Sequence, residues 1–134
     1  MEKGITKIDS NSFRDCTGLV SITIPDSVTS IGSAAFSGCT ALTSLKIPEG
    51  VTTIAGYTFD GCTNLTSISI PNSLTSVDTY AFKDCTSLKD IYYNGTPSQW
   101  KQISIGSNNN EFRRATVHYV KFGENLKWSF DKET

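Results

Sequence analysis

The sequence predicts an α/β solenoid in which a parallel sheet of short strands, extended return segments and short helical turns repeat coil after coil. Three observations carry that expectation. Phe13, Phe36, Phe59 and Phe82 stand 23 residues apart, and Cys16, Cys39, Cys62 and Cys85 keep the same interval. A sequence that repeats this strictly is a stack of equivalent units, each burying its apolar side against its neighbours. The pattern Leu-x-x-Ile-x-Ile recurs in step with the phenylalanines, and a proline closes it at Pro25, Pro48 and Pro71.

Within each unit the elements follow in order. Leu19, Leu42, Leu65 and Leu88 begin the strand, Ile22, Leu45, Ile68 and Ile91 continue it, and Ile24, Ile47, Ile70 and Tyr93 end it. Alternation of inward and outward residues is the mark of a half-buried strand. Proline then removes the N–H that a ladder needs, so the chain turns. The pairs Val28 with Ile31, Val51 with Ile54 and Leu74 with Val77, set among Thr and Ser, read as an extended return or a short second strand. Small residues lead into Phe-x-x-Cys, where one helical turn would place both side chains inward.

Ile5 and Ile8 fall 23 residues before Val28 and Ile31, so residues 1–93 are expected to form repeats that start within a unit, as though an upstream part were missing. The repeat stops after Tyr93. Thr96-Pro97-Ser98-Gln99 has the form of a helix start, with Thr96 as N-cap, Pro97 at the first helical position and Gln99 completing a capping box. Trp100 and Ile103 would cover the last coil, and the β-prone Thr116–Val120 would add a final strand, making 94–120 a C-terminal cap. Residues 121–134 are expected to be an extension that opens a following module.

Composition excludes several functions. The formal net charge is -1 over 134 residues with no block of either sign, which argues against nucleic acid or anionic lipid as a partner. No apolar run is long enough to span a bilayer and no signal segment opens the chain, so membrane insertion is not expected. The cysteines occupy one slot in successive coils and point the same way, whereas a disulfide needs Cβ atoms about 3.5 to 4.5 Å apart. They read as buried free thiols serving as small hydrophobes. Single repeated cysteines also lack the paired spacing of a zinc site. No metal or cofactor is expected.

Enzyme chemistry finds no motif. His118 reads as a surface-facing strand residue, and no G-x-S-x-G, phosphate loop or H-E-x-x-H is present. What remains is the outward row of strand positions. Ser21, Ser44, Ser67 and Asp90 form one row and Thr23, Lys46, Ser69 and Tyr92 the next. The candidate binding residues are Ser44, Lys46, Ser67, Ser69, Asp90 and Tyr92. Against this stands the plainer reading, that the hydroxyls form a self-satisfying ladder.

Residues 4–93 resemble the BspA-like, cysteine-containing leucine-rich repeats of bacterial surface and secreted proteins. Cys62-Thr63-Asn64-Leu65-Thr66-Ser67-Ile68-Ser69-Ile70-Pro71, with Phe59 before it, matches that family's pattern throughout. Ile91–Thr96 with Trp100, then Ile103–Gly106 and Ala115–Tyr119, is similar to the segment that ends such arrays. The resemblance implies a right-handed leucine-rich-repeat solenoid, extracellular or at the cell surface, that adheres to a host or microbial protein or glycan. The alternative is a structural spacer or accessory region of a larger surface protein. A monomer is expected, and no catalytic residue is implied.

Overall fold

The computed structural model describes residues 4–120, which form a solenoid of parallel strands; residues 121–134, expected to open a further module, lie outside the described part. Three parallel sheets run along it. The first joins β1 (Lys7–Ile8) to β2 (Ser30–Ile31). The second has the order β3 (Ser44–Lys46), β5 (Ser67–Ile70), β7 (Asp90–Tyr93) and β9 (Thr116–Tyr119). The third joins β4 (Thr53–Ile54), β6 (Ser76–Val77) and β8 (Ser104–Ile105). Register follows the repeat without slippage: Leu45 pairs with Ile68, and Ile68 with Ile91. A slip of one residue would turn each inward Ile or Leu to solvent, so the apolar alternation fixes this pairing.

The first unit departs from the expected pattern. Ile24 is buried but Leu19 and Ile22 only partly so, and residues 19–24 form no strand. The next coil reaches them through one backbone bond, from the Thr43 N–H to the Val20 carbonyl at 3.3 Å. Two strands need a run of such bonds to hold extended geometry.

The Phe-x-x-Cys segments are not α-helical. Two residues in each coil take left-handed backbone conformations: Asn11, Ala34, Tyr57 and Tyr80 in one column (φ 58 to 67) and Asp15, Gly38, Gly61 and Asp84 in the other (φ 60 to 77). A left-handed residue ends a helix, so only single turns survive. The segment pairs with its neighbours instead. The N–H groups of Ala34, Phe36 and Gly38 donate to Gly56, Thr58 and Asp60 carbonyls at 3.2, 2.9 and 2.8 Å. In the same coil the carbonyls of Ser33, Ala35 and Ser37 accept from Asn11, Phe13 and Asp15 at 3.0, 2.8 and 2.7 Å. Peptide groups 33–34, 35–36 and 37–38 therefore all point the same way along the stack.

The core lies between these walls. Phe13, Phe36, Phe59 and Phe82 stack at 5.2, 5.7 and 5.2 Å, and Phe112 extends the row at 4.4 Å. All four cysteines are free. Cys39, Cys62 and Cys85 are fully buried, and each thiol donates to the carbonyl of the phenylalanine one coil before: Phe13 at 3.0 Å, Phe36 at 3.2 Å and Phe59 at 3.0 Å. Serine would fit the same bond, but sulfur also fills apolar volume, which suits a residue both bonded and buried.

Two α-helices occur among the described residues, both after β7: α1 (Pro97–Trp100) and α2 (Asn110–Arg114). The Thr96 hydroxyl accepts from the Gln99 N–H while the Gln99 side chain accepts from the Thr96 N–H, the reciprocal box expected from the sequence. Trp100 then meets Tyr93 edge-on at 5.0 Å and Phe112 at 5.7 Å. Asn109, fully buried, supplies a side-chain oxygen to the Phe82 N–H at 2.8 Å, and Ser107 supplies a backbone carbonyl to Tyr80 at 3.1 Å. They stand where the carbonyls of another coil would be.

Candidate functional site

Strand geometry assembles the candidate residues without help from any loop. Successive side chains on a strand point to opposite faces, and parallel register places equal positions side by side. Ser44, Ser67, Asp90 and Thr116 are consecutive partners across β3, β5, β7 and β9, and Lys46, Ser69, Tyr92 and His118 form the adjacent row. All six residues expected from the sequence thus share one open face. Ser44, Lys46 and Tyr92 are exposed there; Ser67, Ser69 and Asp90 are half-buried.

His118 belongs to this face as well. Its Nε2 lies 2.8 Å from Asp90 Oδ1 and its ring stacks on Tyr92 at 4.8 Å with an 18° interplanar angle. The sequence placed it on the surface but gave it no partner, because β9 follows a non-repeating segment whose register the 23-residue interval does not set. Asp90 and Tyr92 are held between neighbours on this side, whereas the opposite ring face of Tyr92 looks across Ser69 towards Lys46.

A groove of about 390 Å³ opens at that point, lined by Lys46, Glu49, Ser69, Tyr92, Asn94 and Val120 over the buried Ile47 and Ile70. Asn94 Nδ2 donates to Glu49 Oε2 at 3.0 Å, tying the loop after β3 to the end of β7. Sequence reasoning left Glu49 and Asn94 aside because they are 45 residues apart and occupy turns outside the strand columns. Lys46 makes no ion pair with a described residue.

The hydroxyls sort by face. On the return side they bond across coils: Ser27 to the Ile5 carbonyl at 2.6 Å, Ser73 to Val51 at 2.8 Å, Thr75 to Thr52 at 3.0 Å, and Thr53 with Ser76 at 3.1 Å. Among the described residues, Ser44, Ser67 and Ser69 make no side-chain hydrogen bond to protein. On the strand side Thr66, just before β5, also bonds across coils, to the Thr43 carbonyl at 3.1 Å, so what the strand face keeps free for water or a ligand is the hydroxyls of Ser44, Ser67 and Ser69.

Two other surface features lie elsewhere. A second groove of about 390 Å³ runs between β2 and β4, where the return ladder is unpaired, and is lined by Ser10, Thr29, Ser30, Ser33, Thr52 and Thr53 among others. Tyr57 and Tyr80 stack at 5.1 Å on the Phe-x-x-Cys side. The thiols of Cys39, Cys62 and Cys85 are buried, and no cysteine lines either groove. Burial, reinforced by the adjacent thiol, pushes Cys62 up to about 12 and Cys85 higher still, and burial also raises Cys39. A thiol that holds its proton is neither nucleophile nor metal ligand. Among the described residues no three His, Cys, Asp or Glu converge as metal ligands, and no helix is long and apolar enough to cross a membrane.

A family model described as the BspA type leucine-rich repeat region matches residues 1–111 in 6 copies, running past Tyr93. Three solved structures are similar. A leucine-rich cell surface protein from Faecalibacterium prausnitzii is 37% identical, with a TM-score of 0.62 over 78% of this chain and 34% of its own. A leucine-rich repeat protein from Bacteroides ovatus is 29% identical, with a TM-score of 0.68 over 88% of this chain and 29% of its own. A leucine-rich repeat protein from T. pallidum shares the fold at 20% identity, with a TM-score of 0.70 over 91% of this chain and 61% of its own. This chain thus spans about a third of the length of the first two. No curated protein matches it.

Proposed function

Because this chain belongs to the BspA-type leucine-rich repeat family, we propose that it is a non-catalytic binding module of an extracellular or cell-surface protein, meeting a protein or glycan partner through its strand face. The observation that carries this is the two-row face itself. Ser44 and Ser67 beside Lys46, Ser69 and Tyr92 present donors and acceptors unshared with protein, next to an Asp90 fixed by His118, on a rigid sheet, so little conformational entropy is lost on binding. Tyr is, with Trp and Arg, one of the residue types enriched among interface anchors, and Tyr92 is 40% exposed. A similar protein of known structure is described as a cell surface protein, which supports that location for the parent of this chain.

The combined Lys46→Ala, Asp90→Ala, Tyr92→Ala variant tests the reading against immobilised host matrix proteins and a glycan array. Binding by the native chain that falls at least tenfold in the variant is the expected result. Binding unchanged by all three substitutions would remove the strand face from consideration and leave a spacer role, which the greater length of the similar proteins favours.

A further inference from the structure

Row Lys46, Ser69, Tyr92, His118 alternates in bulk in a way that leaves room for one ring. His118 covers one face of Tyr92 at 4.8 Å, which is the spacing of adjacent strands, about 4.8 Å. The ring normals therefore run along the sheet, and the other face of Tyr92 is turned towards the β5 position, occupied only by Ser69. Above Ser69 is a slot one ring thick, bounded beyond by the Lys46 side chain. We propose that this slot is a saccharide subsite, in which a neutral pyranose lies flat against the free face of Tyr92.

The reading rests on the strand face being a binding surface and specifies its ligand. An aromatic face carries partial negative charge and attracts the C–H groups of a flat sugar ring. The rim supplies what the ring's edge requires. Lys46 offers ammonium donors, Ser69 a hydroxyl, and the Glu49–Asn94 pair retains acceptor oxygens beyond the one bond between them. Lys46 and Glu49 contribute one ammonium and one carboxylate and Asp90 is not part of the lining, so the charge of the rim suits a neutral ligand whose hydroxyls both donate and accept. An aromatic side chain from a protein partner would fill the slot but would bury Lys46, Glu49 and Ser69 against carbon, leaving their polar atoms unpaired.

Chemical-shift mapping on the isotope-labelled chain, with lactose, cellotriose and chitotriose as probes, tests the proposal. At least one probe should shift the amide signals of Ser69 and Tyr92 in a saturable way. Tyr92→Ala, which removes the platform, and Ser69→Tyr, which fills the slot, should each weaken that binding at least tenfold. Tyr92→Phe should stay within about twofold, and Tyr57→Ala, on the other aromatic pair, should change nothing. Absence of a response to all three sugars, or binding that survives Ser69→Tyr, overturns the subsite. If the sugars fail while the triple strand-face variant still loses a protein partner, the face stands and its ligand is a protein; if neither is affected, the face itself falls.

Discussion

Asn109 Oδ1 accepts the Phe82 N–H at 2.8 Å, while its Nδ2 donates to the Asp78 and Gly106 carbonyls at 3.0 Å each. In the segment that carries β8 and β9, one fully buried side chain thus makes the bond that a backbone carbonyl makes in the earlier coils. Asn109→Leu has similar volume but leaves a buried N–H and two carbonyls without their partner. Each unsatisfied buried group costs about 1–3 kcal/mol, so the urea midpoint should fall markedly. Asn109→Asp keeps the acceptor but sets a carboxylate against two carbonyl oxygens, and its midpoint should recover as pH is lowered and the acid protonates. Equal midpoints for the native chain and Asn109→Leu would deny the side chain this role.

Phe59 has stacked rings on both sides, at 5.7 and 5.2 Å, and no exposure. Phe59→Ala should cost about 3–5 kcal/mol through lost burial and the cavity left behind. Ser67→Ala, on the open face without a protein hydrogen bond, should change stability by no more than about 0.5 kcal/mol. Chemical denaturation of the two variants measures the contrast.

Cys16 is partly exposed, whereas Cys39, Cys62 and Cys85 are buried and bonded. In the native state a thiol reagent should modify Cys16 quickly and the other three only on unfolding. Rapid modification of all four would contradict the buried column.

Alkaline pH should unfold the chain through the same thiols. An unfolded cysteine loses its proton near the ordinary 9.0, while folded Cys62 holds it to about 12. Between those values the folded state binds more protons, so the contribution is complete below pH 9.0 and is lost as pH rises towards 12. Melting temperatures measured across this window should fall, and less steeply for Cys62→Ala than for the native chain.

Gly61 and Asp84 occupy equivalent left-handed positions, at φ 77 and 61. A side chain is disfavoured there, so Gly61→Ala should destabilise by about 1 kcal/mol, and Asp84→Gly should cost little or raise stability. Thermal denaturation checks the opposite directions.

Strand and core columns were legible because the 23-residue interval repeats residue types whose inward burial fixes register. Leu45, Ile68 and Ile91 could be aligned from the sequence and do align in space. At Phe-x-x-Cys the sequence also carries the signal that limits any helix to a single turn: the residue before each cysteine is Asp15, Gly38, Gly61 or Asp84, types that tolerate the left-handed region. The other left-handed column gave no such warning, since Ala34, Tyr57 and Tyr80 are held there by pairing with neighbouring coils against their own preference. On the candidate face, rows of repeat residues could be counted, but His118, Glu49 and Asn94 join it through contacts between segments that the interval does not relate.

The aligned peptide groups of the Phe-x-x-Cys segments give the stack an electrical polarity. Each peptide carries a dipole of about 3.5 D, and groups such as 33–34, 35–36 and 37–38 add along the axis from coil to coil. The end bearing the Tyr80 and Phe82 N–H groups is therefore the positive pole, and it is closed by oxygens from Ser107 and Asn109. Coils can join such a column in one direction only, with every added unit offering the next the same pole.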